Sequence, residues 1–134
     1  MKTLITIISI MLLSPIIANA QLLAPDQYPE GMCELAAKEF QNKFGGNMVL
    51  TMPYLNDQII PGKYSGAWIN RVYVTGNNQY FYIDYPNQLI FSSKEETNAF
   101  YSNAFKNKFD NGNVESRMFV YGEDSIPFPI IWNY

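Results

Sequence analysis

The sequence predicts an α+β protein, in which an antiparallel sheet carries two amphipathic helices on one face after a cleaved signal peptide. Three observations predict this fold. The chain begins with an apolar run that ends in a cleavage motif, and two later segments place apolar residues at helical spacing. Two alternating segments also flank Gly76-Asn77-Asn78, which is typical of a β-hairpin.

The first 20 residues have the parts of a secretory signal peptide. Lys2 supplies positive charge, residues 4–13 are almost all apolar, and Ala18-Asn19-Ala20 is a small-x-small cleavage site. We therefore expect a signal peptide over 1–20, a single domain over 21–134 and a periplasmic or secreted protein. The apolar run is shorter than the roughly 20 residues of a membrane-spanning helix, so stable membrane insertion is not expected.

The first helix is predicted from about Pro29 to Phe44. Asp26 can cap its start, and Gly45-Gly46 ends it. Apolar residues recur at helical spacing along one face, namely Cys33, Ala36, Ala37, Phe40 and Phe44.

The second helix begins with a capping box, because Ser93 is followed three residues later by Glu96. Asn111-Gly112 ends it. Its apolar stripe consists of Phe100, Tyr101, Ala104, Phe105 and Phe109.

Strands are predicted from the alternation of apolar and polar residues, over 47–53, 67–75, 79–85, 89–91, 118–121 and 130–132. If Asn77-Asn78 forms the loop of the hairpin, its residues pair at positions that sum to 155. Val74 then faces Phe81 and Val72 faces Ile83, while Tyr73 faces Tyr82 and Arg71 faces Asp84.

The composition excludes several classes of function. The chain has no histidine, which removes Ser-His-Asp and Cys-His catalysis and the commonest zinc ligand. Lys2 is the only basic residue of the signal peptide, so the rest has eight basic and twelve acidic residues and a net charge of −4. An acidic domain is not expected to bind nucleic acid, and no cofactor site, metal site or catalytic residue is predicted.

Cys33 is the single cysteine, so no disulfide can form within the chain. An odd cysteine in an exported protein can be a reactive thiol or can form a disulfide with a second chain, so a homodimer is one alternative. The alternative is a small apolar residue on the buried face of the first helix, where free cysteines commonly lie.

The predicted outer face of the hairpin is the candidate binding surface. Tyrosine and arginine anchor protein interfaces because each combines a large contact area with a polar group. The alternative is that these residue types simply suit an exposed strand. The candidate residues are Arg71, Tyr73, Tyr80, Tyr82 and Asp84.

These observations favour a small exported domain that binds another extracytoplasmic protein. One specific version is an inhibitor or immunity protein against a toxin or hydrolase of the cell envelope. The sequence is also compatible with two alternatives: a cell-wall or polysaccharide hydrolase that uses a carboxylate pair, and a module that binds a small apolar ligand between the sheet and the helices. The sequence does not single out a carboxylate pair, which disfavours an enzyme.

Overall fold

The computed structural model describes residues 22–62 and 64–126. The predicted signal peptide and the predicted strand at 130–132 lie outside these residues. The described part contains helices α1 (Cys33–Phe44) and α2 (Lys94–Lys108), and strands β1 (Asn47–Leu55), β2 (Gln58–Ile59), β3 (Ala67–Val74), β4 (Gln79–Asp84), β5 (Leu89–Phe91) and β6 (Glu115–Val120).

The strands form one sheet in which every pairing is antiparallel. The order is β2-β1-β3-β4-β5, and β6 also pairs with β1. Residues Val49 to Thr51 of β1 pair with both β3 and β6, so these two strands lie on opposite sides of β1. The antiparallel sheet and the α+β class predicted from the sequence are therefore confirmed.

The helices differ from the prediction in their placement, because they lie on opposite faces of the sheet. Ala36 and Phe40 of α1 pack in one cluster with Val72, Phe81 and Ile83. Tyr101 and Phe105 of α2 pack with Val49, Ile69 and Tyr82. Successive residues of a strand point to opposite faces, and β1 buries seven consecutive residues from Met48 to Tyr54. Both faces of the sheet therefore carry side chains that must be shielded from water, and one helix packs on each face.

Helix α1 begins at Cys33 rather than near Pro29, and its N-cap is Met32 rather than Asp26. Residues Pro25–Gln27 form a separate 3-10 turn. Gly31 has a φ of 87°, a left-handed conformation that favours glycine and separates the turn from the helix. The predicted C-terminus is confirmed, since Gly45 caps the helix.

Helix α2 has the predicted N-cap. The Ser93 hydroxyl accepts a hydrogen bond from the Glu96 N–H at 3.0 Å. The Glu96 carboxylate accepts from the Ser92 hydroxyl at 3.1 Å, rather than from the Ser93 N–H as the predicted capping box requires. The cap therefore satisfies one of the unpaired N–H groups of the first turn.

The hairpin between β3 and β4 forms where predicted, but its register differs by two residues. Val72 pairs with Phe81, Tyr73 with Tyr80 and Arg71 with Tyr82, so the predicted pairing of Arg71 with Asp84 is wrong. The reason is a longer loop, because Thr75–Asn77 forms a 3-10 turn and Asn78 is left-handed, with φ 53° and ψ 40°. A shift of two residues keeps every side chain on its predicted face.

Candidate binding groove

The structure divides the five residues predicted as a binding surface into two groups. Tyr73 and Tyr80 are exposed, and their rings meet edge-on with centroids 5.1 Å apart. Arg71, Tyr82 and Asp84 are buried. The expectation of one exposed surface is therefore wrong for these three, whereas a binding role for any of the five stays a prediction.

Arg71 is held within the fold by three neighbours. Its guanidinium lies over the ring of Tyr80, 4.1 Å from the centroid. It donates to the side-chain oxygen of Asn47 at 3.0 Å and forms an ion pair of 2.5 Å with Glu123, just after β6. Arg71 thus joins the hairpin to the turn that follows β6.

Asp84 is buried with hydrogen-bond donors on two sides. The Tyr101 hydroxyl of α2 donates to one carboxylate oxygen. Asn87 donates to the carboxylate from its backbone N–H at 3.3 Å and from its side-chain amide at 3.0 Å. Helix α2 therefore covers this part of the predicted face, because it lies against the strand residues that point that way.

A groove of about 600 Å³ opens on the other face of the sheet, beside α1. Its floor contains Met48 of β1 and Trp68 of β3, which are both buried. Three large apolar side chains stand at its sides and stay exposed: Met32 at 38%, Leu35 at 41% and Tyr121 at 59%. The remaining described lining residues are Gly31, Glu34, Lys38 and Gln41.

The walls of the groove come from distant parts of the chain. Met32 is the N-cap of α1 and Leu35 lies in its first turn, so both belong to the start of this helix. Tyr121 continues β6, because its N–H donates to the Met48 carbonyl at 2.9 Å. The rings of Tyr121 and Trp68 meet edge-on with centroids 6.1 Å apart. The groove therefore forms where the end of β6 comes close to α1.

The described lining of the groove is mainly apolar, with a few polar groups at its side. Glu34, Lys38 and Gln41 add polar groups from α1. Burial raises the pKa of Glu34, and the charge of Lys38 opposes that shift. Glu34 is the one carboxylate among the described lining residues. The described lining of the groove therefore does not provide the pair of carboxylates that the hydrolase mechanism uses.

Cys33 lies at the start of α1, with its thiol turned toward the sheet. Its Sγ accepts a hydrogen bond from the Trp68 N–H at 3.4 Å. Burial raises the pKa of the thiol, and this effect exceeds the opposing one of the hydrogen bond from Trp68. A raised pKa disfavours the thiolate, so the structure supports the packing role over the reactive one.

The edge of β6 is partly closed to strand addition. The Ser116 N–H donates to the Ser102 hydroxyl at 2.8 Å, and the Val120 N–H donates to the Asp124 carboxylate at 2.7 Å. An unpaired strand edge needs free N–H and carbonyl groups to take up another strand. The groove is therefore the better candidate for binding a partner.

The described residues contain no group of three or more Asp, Glu or Cys side chains placed to bind a metal ion. In the same part of the chain, neither helix has the length and apolar character that crossing a membrane requires.

No protein-family model, curated protein or solved structure matches this chain. The groove and its lining are therefore the best indication of function that the molecule offers.

Sequence reasoning missed the groove, although one signal was present. Met32 and Leu35 are apolar but lie outside the stripe that packs α1 on the sheet. Apolar residues on the outer side of an amphipathic helix indicate a second contact surface. The approach of Tyr121 to Trp68 has no such signal, because it depends on pairing between distant strands.

Proposed function

We propose that this protein is an exported binding domain that holds an apolar segment of another extracytoplasmic protein in the groove beside α1. The observation that carries the proposal is the trio of exposed apolar side chains, Met32, Leu35 and Tyr121, around a floor of Met48 and Trp68. Methionine and aromatic residues are enriched in protein interfaces, where they provide a large contact area. The signal-peptide pattern supports a partner outside the cytoplasm.

An inhibitor or immunity protein is one specific form of this proposal. An acidic domain that presents an apolar groove is suited to holding a segment of a toxin or hydrolase of the cell envelope. Mutual charge attraction with a basic partner would speed its association.

A small apolar ligand is the second candidate, and the volume of the groove favours it. Pockets for small molecules measure about 300–1,000 Å³ and are lined mainly by apolar groups with a few polar ones. The groove meets both criteria. A protein partner buries the exposed rim as well as the floor, whereas a small ligand needs mainly the floor.

Affinity capture from the extracytoplasmic fraction of the source organism tests the proposal. The mature chain is compared with Leu35→Glu, which places a charge in the groove, and with Leu23→Glu as the matched control. Leu23 is also an exposed leucine, 44% against 41%, but it is not among the described residues that line the groove. Both variants are checked for an unchanged fold by circular dichroism.

The proposal predicts a stoichiometric protein partner that the wild type and Leu23→Glu retain and Leu35→Glu loses. Recovery of no stoichiometric partner, or equal recovery by all three chains, would contradict it. If the wild type instead retains a small apolar molecule, identified by mass spectrometry, the second candidate replaces the first.

A further inference from the structure

The described chain ends on the face of the sheet that carries the groove. After Tyr121 it turns back, since the Asp124 N–H donates to the Val120 carbonyl at 2.8 Å. Ile126, the last described residue, then packs against the buried cluster that contains Met48 and Trp68. These two residues also line the groove, so the described chain ends against the same apolar cluster that provides the floor of the groove.

The segment that follows has the composition of a groove ligand. Residues 127–134 read Pro-Phe-Pro-Ile-Ile-Trp-Asn-Tyr and contain no charged side chain. Eight residues span up to roughly 26 Å when extended, which is enough to reach a groove on the face of the sheet where the described chain ends. Pro127 and Pro129 have no N–H to donate, so regular strand pairing is disfavoured and side-chain contacts must provide the binding.

We propose that residues 127–134 bind in the groove of their own chain and that a partner must displace them. A segment joined to its site by a short stretch of chain has an effective concentration on the order of millimolar, so modest contacts suffice to hold it there. The competition with a partner rests on the proposed function. The docking itself requires no partner and is tested separately.

Nuclear magnetic resonance of the full mature chain measures the docking. The heteronuclear NOE of the Ile130, Ile131 and Trp132 amides reports how rigidly the segment is held, with the amides of β6 as the internal reference. Leu35→Glu is compared with the matched control Leu23→Glu. Unchanged chemical shifts of β6 and α2 show that each variant is folded.

In the wild type and in Leu23→Glu, the NOE values of residues 130–132 are expected to match those of β6. In Leu35→Glu, the NOE values of the same residues are expected to lie well below those of β6. Tenfold dilution is expected to leave the chemical shifts of the segment unchanged. Low NOE values in the wild type, or no loss in Leu35→Glu, would overturn the proposal. A dilution-dependent shift would also overturn it, because the groove would then hold the segment of a second copy.

The NOE measurement tests the docking of residues 127–134 whether or not a protein partner exists. If affinity capture recovers no partner while the NOE values fall in Leu35→Glu alone, the proposed function fails and the docking stands. If a partner is recovered through Leu35 while residues 127–134 show low NOE values throughout, the docking fails and the proposed function stands.

Discussion

The ring of Tyr121 meets the ring of Trp68 edge-on, with centroids 6.1 Å apart and planes inclined by 70°. Tyr121 follows β6, and Trp68 lies near the start of β3. Neither strand pairs with the other, because β1 lies between them. This contact therefore links the end of β6 to the floor of the groove across β1.

Replacing Tyr121 tests the contribution of this contact. Tyr121→Ala is expected to lower the free energy of unfolding by about 1 kcal/mol, because an edge-on aromatic pair contributes about 0.5–1.5 kcal/mol. Tyr121→Phe keeps the ring and is expected to stay near the wild-type value. Urea unfolding measures both variants, and equal losses in the two would show that the hydroxyl rather than the ring matters.

The buried hydrogen bond from Tyr101 to Asp84 ties α2 to β4. Tyr101→Phe removes one of the hydrogen bonds to this buried carboxylate and leaves those from Asn87, and a hydrogen bond to a charged group contributes about 1.5–3 kcal/mol. Tyr73→Phe is the control, because Tyr73 is exposed and its change is expected to stay within about 0.5 kcal/mol. Both values come from urea unfolding at neutral pH, and equal effects would contradict the importance of this bond.

The sequence predicted the elements better than their arrangement. The strands of the hairpin and the cap of α2 depend on neighbouring residues, so local patterns revealed them. The register depended on the left-handed conformation of Asn78, which lengthens the loop beyond Asn77-Asn78. A two-residue shift keeps each side chain on the same face of the sheet. The predicted face of each hairpin residue was therefore correct, whereas its predicted cross-strand partner was wrong.

The placement of the helices and the groove depended on long-range contacts. Tyr82 and Asp84 are of types common on exposed strands, yet α2 buries them because it packs on their face. Met32 and Leu35 were visible as apolar residues outside the packing stripe. That they stand opposite Tyr121 follows from the pairing of β1 with β6, which sequence spacing does not reveal.

Stability at alkaline pH is expected to depend on Tyr28. Burial, with a hydrogen bond to Glu39 as the next cause, raises the pKa of Tyr28 from 10.0 to about 12. Below pH 10.0 the Tyr28 hydroxyl keeps its proton in both the folded and the unfolded chain, so its full contribution to the free energy of unfolding is present. Between pH 10.0 and about 12 the unfolded chain loses this proton more readily than the folded chain. The contribution of Tyr28 to the free energy of unfolding therefore disappears as the pH rises through this range.

Tyr28→Phe is therefore expected to make the free energy of unfolding fall less steeply above pH 10.0 than in the wild type. Urea unfolding at a series of pH values measures the two slopes. At neutral pH the slopes are expected to coincide. Identical slopes above pH 10.0 would contradict the raised pKa.

The thiol of Cys33 is expected to react slowly in the folded protein. Burial raises its pKa, so the reactive thiolate is scarce, and Sγ accepts the Trp68 N–H. A maleimide reagent is expected to label the native chain much more slowly than the chain in concentrated urea. Equal labelling rates, followed by mass spectrometry, would restore the reactive-thiol interpretation.

Site-specific photocrosslinking in the source organism tests most directly whether the groove binds a protein. A photoreactive amino acid is placed at Leu35, in the groove, or at Leu23, which has similar exposure away from the groove's described lining. The proposed function predicts a crosslink from position 35 to one distinct extracytoplasmic protein and none from position 23. No intermolecular crosslink from position 35, or the same products from both positions, would contradict it.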